Sequence, residues 1–144
     1  MNVTGLRVTG LHHVAFTEHH TEVTDALQHL FGLKVAHTEP AEGFTERMLP
    51  AGPAAPGKPC YLQALQPTGD GVVQRAVQRR GTGLHHIALQ VDDVAAALTE
   101  LSAAGVQLID PVPRPGGMGT LIGFVHPRSV GGVLVELVQE GAPE

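Results

Sequence analysis

The chain has no tryptophan, a single tyrosine and only 3% aromatic residues in all, so its interior has to be built from Val, Leu, Ile and Ala. A lone cysteine, Cys60, excludes an intrachain disulfide and argues for a reducing setting. The N-terminus lacks a signal-peptide pattern and no apolar run approaches the length of a membrane span, so the expected location is the cytoplasm. Positive charge is also scarce. Nine Lys and Arg against fourteen Asp and Glu leave a net charge of −5, which excludes the basic surface expected of a general nucleic-acid binder. What the chain has in excess is histidine, nine in all, in an otherwise acidic composition. Imidazole nitrogen is a common metal ligand.

Two of those histidines lie in a segment written twice. Gly10-Leu11-His12-His13-Val14-Ala15-Phe16 returns as Gly83-Leu84-His85-His86-Ile87-Ala88-Leu89, 73 residues later. The same offset relates Gln63, in Leu62-Gln63-Ala64-Leu65, to Glu136, in Val135-Glu136-Leu137-Val138. A period of about half the chain indicates one fold unit used twice.

The pattern between these markers repeats as well. Residues 10–17 alternate as a strand. Thr21 is the expected N-cap of a helix whose apolar face is Val23, Ala26, Leu27 and Leu30, and Gly32 stops it. Strands are expected over 33–38, 44–49 and 60–65, with a Pro/Gly loop over 50–59. A connector over 69–81 has the periodicity for one or two helical turns. The second copy then runs through a strand at 84–91, an N-cap at Asp92, a helix face of Val94, Ala97, Leu98 and Leu101, and a stop at Gly105. Strands at 106–109, 120–125 and 133–138 follow, with a Pro/Gly loop over 111–119, and the tail after Glu140 reads as disordered. Each half is therefore β-α-β-β-β, with modules of about 9–68 and 82–140. The fold class is α+β, one domain over 1–144, in which two tandem modules form a pseudo-two-fold metal-binding cleft.

His13, Gln63, His86 and Glu136 are the candidate ligands of one divalent ion, each half giving one from its first strand and one from its last. Two imidazoles, an amide oxygen and a carboxylate suit a borderline transition metal, and they leave coordination positions open for substrate. Glu136 sits in an apolar strand, where a cation would offset the cost of burying its charge. Glu46, between Phe44 and Met48 on one strand face, is the candidate general base, since an apolar setting raises a carboxylate pKa. Its counterpart at the 73-residue offset is Gly119, so the base is not duplicated. His12 and His85 point to the opposite strand face and carry no assigned chemistry. Arg75, Arg79 and Arg80 read as a solvated helix face or an anion contact. Gly116-Gly117-Met118-Gly119 is a weak candidate for a lid or phosphate-contacting loop.

These residues resemble the vicinal oxygen chelate (glyoxalase/bleomycin resistance/dioxygenase) superfamily. Within it the chain is most similar to the methylmalonyl-CoA epimerase branch. The resemblance runs from Gly10 to Gln139 and is carried best by Gly81-Thr82-Gly83-Leu84-His85-His86-Ile87-Ala88, Val91-Asp92-Asp93, Gly105-Val106-Gln107-Leu108, Phe124-Val125-His126-Pro127 and Gly132-Val133-Leu134-Val135-Glu136-Leu137. It implies paired β-α-β-β-β modules, metal ligands at His13, Gln63, His86 and Glu136, and a catalytic base at Glu46. It also implies a homodimer. The activity implied is interconversion of the 2R and 2S forms of methylmalonyl-CoA or a related acyl-CoA, and Glu136, as a ligand close to the same carbon, is the candidate second acid. Cobalt is the expected metal, and manganese, zinc and nickel suit the same ligands. Ala26-Leu27 replaces the branch's usual aromatic pair, and Met118, Thr120 and Leu121 stand where it often has His or Asn and a basic residue. Alternative activities on this fold are a lactoylglutathione lyase-type isomerase, an extradiol-type dioxygenase and a non-catalytic ligand-binding protein.

Overall fold

The computed structural model describes residues 6–53 and 60–141. The expectations for residues 1–5, 54–59 and 142–144 lie outside that set. The chain divides into two compact units, one made of His13–His85 and the other of Met1–His12 with His86–Glu144.

In the first unit, β1 (Val8–Thr17, entering at His13) is followed by α1 (Glu22–Phe31), β2 (His37–Ala41), β3 (Phe44–Pro50), β4 (Tyr61–Pro67) and α2 (Val72–Arg80). The strand order is β2-β3-β4-β1. β2, β3 and β4 run antiparallel in sequence, and β4 lies parallel to β1 with His13 opposite Tyr61 and Ala15 opposite Gln63. Ala15, Leu65 and Val73 form the core, with Phe44 packed against them.

In the second unit, β5 (Gly83–Val91, entering at His86) leads into α3 (Val94–Ala103), β6 (Arg114–Pro115), β7 (Leu121–Val125) and β8 (Val135–Gln139). The order is β5-β8-β7-β6. β8 lies parallel to β5 with Ala88 opposite Glu136. That pairing is the 73-residue image of Ala15 opposite Gln63. The core is larger here: the expected helix face of Val94, Ala97, Leu98 and Leu101 is buried against Val91, Val125, Val135 and Leu137. Gly123 makes this docking possible, because a Cβ there would lie 2.7 Å from Leu98 Cδ1.

The fold is α+β with the repeated module as expected, and several elements differ in extent. The connector holds a full nine-residue helix, α2, rather than one or two turns. Its Val73 and Val77 are buried, so packing extends a helix that propensity alone leaves short. The expected strand over 33–38 begins only at His37, although Ala36 N–H already bonds the Met48 carbonyl. The expected strand over 106–109 is reduced to a single bridge between Leu108 and Val125. The short β6 lies instead inside the expected Pro/Gly loop.

The helix starts are also corrected. Asp93, not Asp92, caps α3, its Oδ1 accepting from Ala96 N–H at 3.0 Å. Thr21 stands at the N-cap of α1 without capping it; its hydroxyl donates to Asp25 Oδ2. Glu18 does the capping. It is fully buried, Oε1 accepts from the N–H groups of Val23 and Thr24, and Oε2 accepts from the Thr24 hydroxyl. The buried residue of α1 is Thr24, while Leu30, expected on the apolar face, is 74% exposed.

Candidate active site

In the first unit, strand pairing puts the predicted residues on one face. Residues opposite one another in a ladder point the same way, and alternate residues along a strand share a face. Ala15 opposes Gln63, so His13 lies on the Gln63 face; Met48 opposes Gln63, so Glu46 lies there too. His13, Glu46 and Gln63 are all buried.

Gln63 and Glu46 are joined directly. The amide nitrogen Nε2 of Gln63 donates to Glu46 Oε2 at 2.7 Å. This contact fixes the amide's orientation and leaves Gln63 Oε1 buried with no hydrogen-bond partner. An orphaned buried acceptor is costly in an apolar surrounding, and a cation is a partner that would satisfy it. Glu46 itself has its pKa raised from the ordinary carboxylate value. Burial is the main cause and the facing Glu39 carboxylate adds to it, against the lowering effects of His37 and of the Gln63 hydrogen bond.

The second unit repeats the arrangement. Glu136 opposes Ala88, so His86 shares its face, and Phe124, opposite Glu136 on β7, shares it too. His86 Nε2 stands 3.9 Å from Glu136 Oε2. Two ligand atoms each about 2.0–2.2 Å from one ion can be separated by that distance. The His86 ring meets Phe124 edge-on, centroids 5.2 Å apart. Arg114 lies over the same Phe124 ring at 5.5 Å. Asp110 ties this support together, accepting from Phe124 N–H through Oδ2 and from Arg114 Nε through Oδ1.

His12 is buried, its Nε2 2.7 Å from Glu140 Oε1. His85 is held below the ordinary imidazole pKa by burial and then by Arg80. Arg75, Arg79 and Arg80 are exposed on α2. The segment Gly117–Gly119 is a short 3₁₀ turn that holds Met118 at φ 58°, closed by the Thr120 hydroxyl donating to the Gly117 carbonyl.

Sequence reasoning missed three groups here. Glu18 stands in no motif, and Phe124 stands in the quoted segment Phe124-Val125-His126-Pro127 without a role at the site assigned to it. His37 and Glu39 sit at alternate positions of β2, so their shared face was readable, but the register that sets Glu39 opposite Glu46 was not.

The fold and the paired strand faces define the class. The glyoxalase/bleomycin resistance protein/dioxygenase superfamily model matches residues 12–124, and the chain belongs to that family. Over 81 residues it is 40% identical to the mitochondrial methylmalonyl-CoA epimerase of Dictyostelium discoideum, covering 55% of this chain and 49% of that protein. The human mitochondrial methylmalonyl-CoA epimerase is 34% identical over 80 residues, 54% of this chain and 46% of the human one. The chain thus spans about half the length of the curated relatives it matches. Among solved structures, a methylmalonyl-CoA epimerase in complex with methylmalonyl-CoA and NH4+ superposes with a TM-score of 0.88 at 36% identity, covering 96% of this chain and 99% of that one. The methylmalonyl-CoA epimerase of Mycobacterium tuberculosis superposes with a TM-score of 0.83 at 33% identity, covering 99% and 94%.

Proposed function

We propose that this protein is a divalent-metal-dependent epimerase that interconverts the 2R and 2S forms of methylmalonyl-CoA or a closely related acyl-CoA. His13, Gln63, His86 and Glu136 are the proposed ligands of a single ion, Co²⁺ being the expected occupant. The observation that carries the reading is the Gln63 amide, whose nitrogen is bonded to Glu46 while its buried oxygen awaits a partner. One side chain thereby links a ligand position to a base. The repeated pairing of Ala15 with Gln63 and Ala88 with Glu136 gives each unit an equivalent donor pair. The related epimerases supply the substrate class.

The substrate's α-carbon lies between a carboxylate and a thioester. A divalent ion, when bound, supplies positive charge where the thioester oxygen turns negative as the α-proton leaves. Glu46 takes that proton on one face. Burial raises its basicity, and the Gln63 hydrogen bond holds its carboxylate in one orientation. Glu136 is the candidate acid that returns a proton on the other face. The active species is proposed to be a homodimer.

The test is solvent deuterium incorporation at the α-carbon of methylmalonyl-CoA in D₂O. The Co²⁺-loaded protein is expected to exchange, the chelator-stripped protein to stop, and Glu46→Gln to lose about 10²–10⁴ in rate. Exchange at the full rate in Glu46→Gln overturns the assignment of the base. A metal-loaded protein that leaves methylmalonyl-CoA unexchanged overturns the substrate.

A further inference from the structure

A second cluster of metal-ligating side chains lies wholly within the first unit. Glu39 on β2 stands directly opposite Glu46 on β3, and His37, two residues before Glu39, shares its face. One ligand atom from each of His37, Glu39 and Glu46 lies within 4.8 Å of the others. His37 Nε2 and Glu39 Oε1 are 2.9 Å apart. Their side chains are 36% and 37% exposed, whereas Glu46 is buried, so the cluster opens to solvent on the β2 side and ends on the carboxylate inside.

We propose that His37, Glu39 and Glu46 form an inhibitory site for a divalent transition metal such as Zn²⁺, sharing no ligand with the four residues proposed to hold the ion that serves the reaction. The donor set is one imidazole nitrogen and two carboxylates, whose summed charge of about −2 with neutral imidazole matches a divalent cation. Without an ion, two carboxylates face each other across an antiparallel pair, one of them buried, an arrangement that costs free energy in a strand ladder. An ion here neutralises both. It also takes a Glu46 oxygen as a ligand, and the bound positive charge lowers the basicity that removal of the α-proton requires. Excess metal would then stop the same protein that needs one equivalent to work. This last step rests on the reading of Glu46 as the base; the site itself does not.

Metal-stripped protein is titrated with Zn²⁺ by isothermal calorimetry, and the wild type is compared with the double variant His37→Ala, Glu39→Gln and with the single variant His37→Gln. The wild type is expected to bind a second, weaker equivalent, and the double variant to lose it while keeping the first. The single variant is expected to weaken that second equivalent at least about tenfold, with unchanged circular dichroism. Equal stoichiometry in wild type and variants, or only one equivalent in the wild type, overturns the site. In the deuterium-exchange assay, each protein's rate at three equivalents of Zn²⁺ is divided by its own rate at one. That ratio is expected to drop at least about tenfold for the wild type and to stay near one for the double variant. An unchanged wild-type ratio with the second ion bound overturns the inhibition. Absence of exchange at every metal load overturns the epimerase reading and leaves the calorimetric result standing.

Discussion

Glu46 is the proposed base, and its surroundings set a testable pH profile. A base must be ionised to act. Burial, and then Glu39, hold its pKa above the ordinary carboxylate value. The acid limb of kcat/KM is therefore expected to fall at a higher pH than for an exposed glutamate, and replacing Glu39 with Gln is expected to move the limb downward. A limb at the ordinary carboxylate value in both proteins would rule this out. Gln63→Ala removes both the orphaned oxygen and the hydrogen bond. It is expected to weaken Co²⁺ binding by at least about 10–100-fold, the loss typical even of a group one step removed from a metal, as read by competition with a chromogenic chelator. Both residues were legible in the sequence because a polar side chain interrupts an otherwise apolar strand face, Phe44 and Met48 flanking Glu46 and Tyr61 and Leu65 flanking Gln63. The bond between them was not, since it depends on the β3–β4 register that sets Met48 opposite Gln63.

At the scale of the element, the start of α1 shows how a local rule can be right about position and wrong about the group. Thr21 is the residue type that caps helices, and the helix does begin after it, yet Glu18 supplies the acceptor from the end of β1. A carboxylate four residues before the helix has no short-range signature. It needs the strand to turn so that the side chain folds back under the first turn. Arg47 on β3 adds a cation 3.7 Å from Glu18 Oε2. Glu18→Ala leaves two backbone N–H groups and a hydroxyl without their acceptor. The expected cost is about 2 kcal/mol or more, or roughly 4–8 °C in Tm by thermal unfolding. A change under about 1 °C would show that water replaces the carboxylate at no cost. The α2 and β2 boundaries were illegible for a related reason. Burial of Val73 and Val77 sustains α2, and the position of the β3 partner decides where β2 begins.

Across the whole molecule, the repeat made the architecture readable. Once His13 and His86, and Gln63 and Glu136, stand at one offset, each half must present equivalent strands in equivalent order. The structure gives β2-β3-β4-β1 and β5-β8-β7-β6. Where the halves diverge, the sequence spoke less clearly: the second copy of the β2–β3 hairpin shrinks to the two residues of β6, and Gly119 replaces Glu46. Among the described residues no helix is long and apolar enough to cross a membrane. The proposed homodimer is tested by light scattering coupled to size exclusion, with twice the 15.1 kDa chain mass expected and a mass of one chain excluding it.

The outer strand of the first unit carries Glu39 and Pro40 side by side. Proline has no N–H to offer a neighbour, and a charged glutamate beside it disfavours an apolar partner strand. In the second unit the outer side of β7 is covered where β6 ends, because Ile109 and Asp110 N–H bond the Phe124 carbonyl and His126 N–H bonds that of Gln107. Both outer margins are thus poor templates for a foreign strand. A chain this rich in valine and leucine would otherwise be prone to extend its ladders from copy to copy. Resistance to fibril growth is therefore expected to rest on a proline and a loop rather than on surface charge alone.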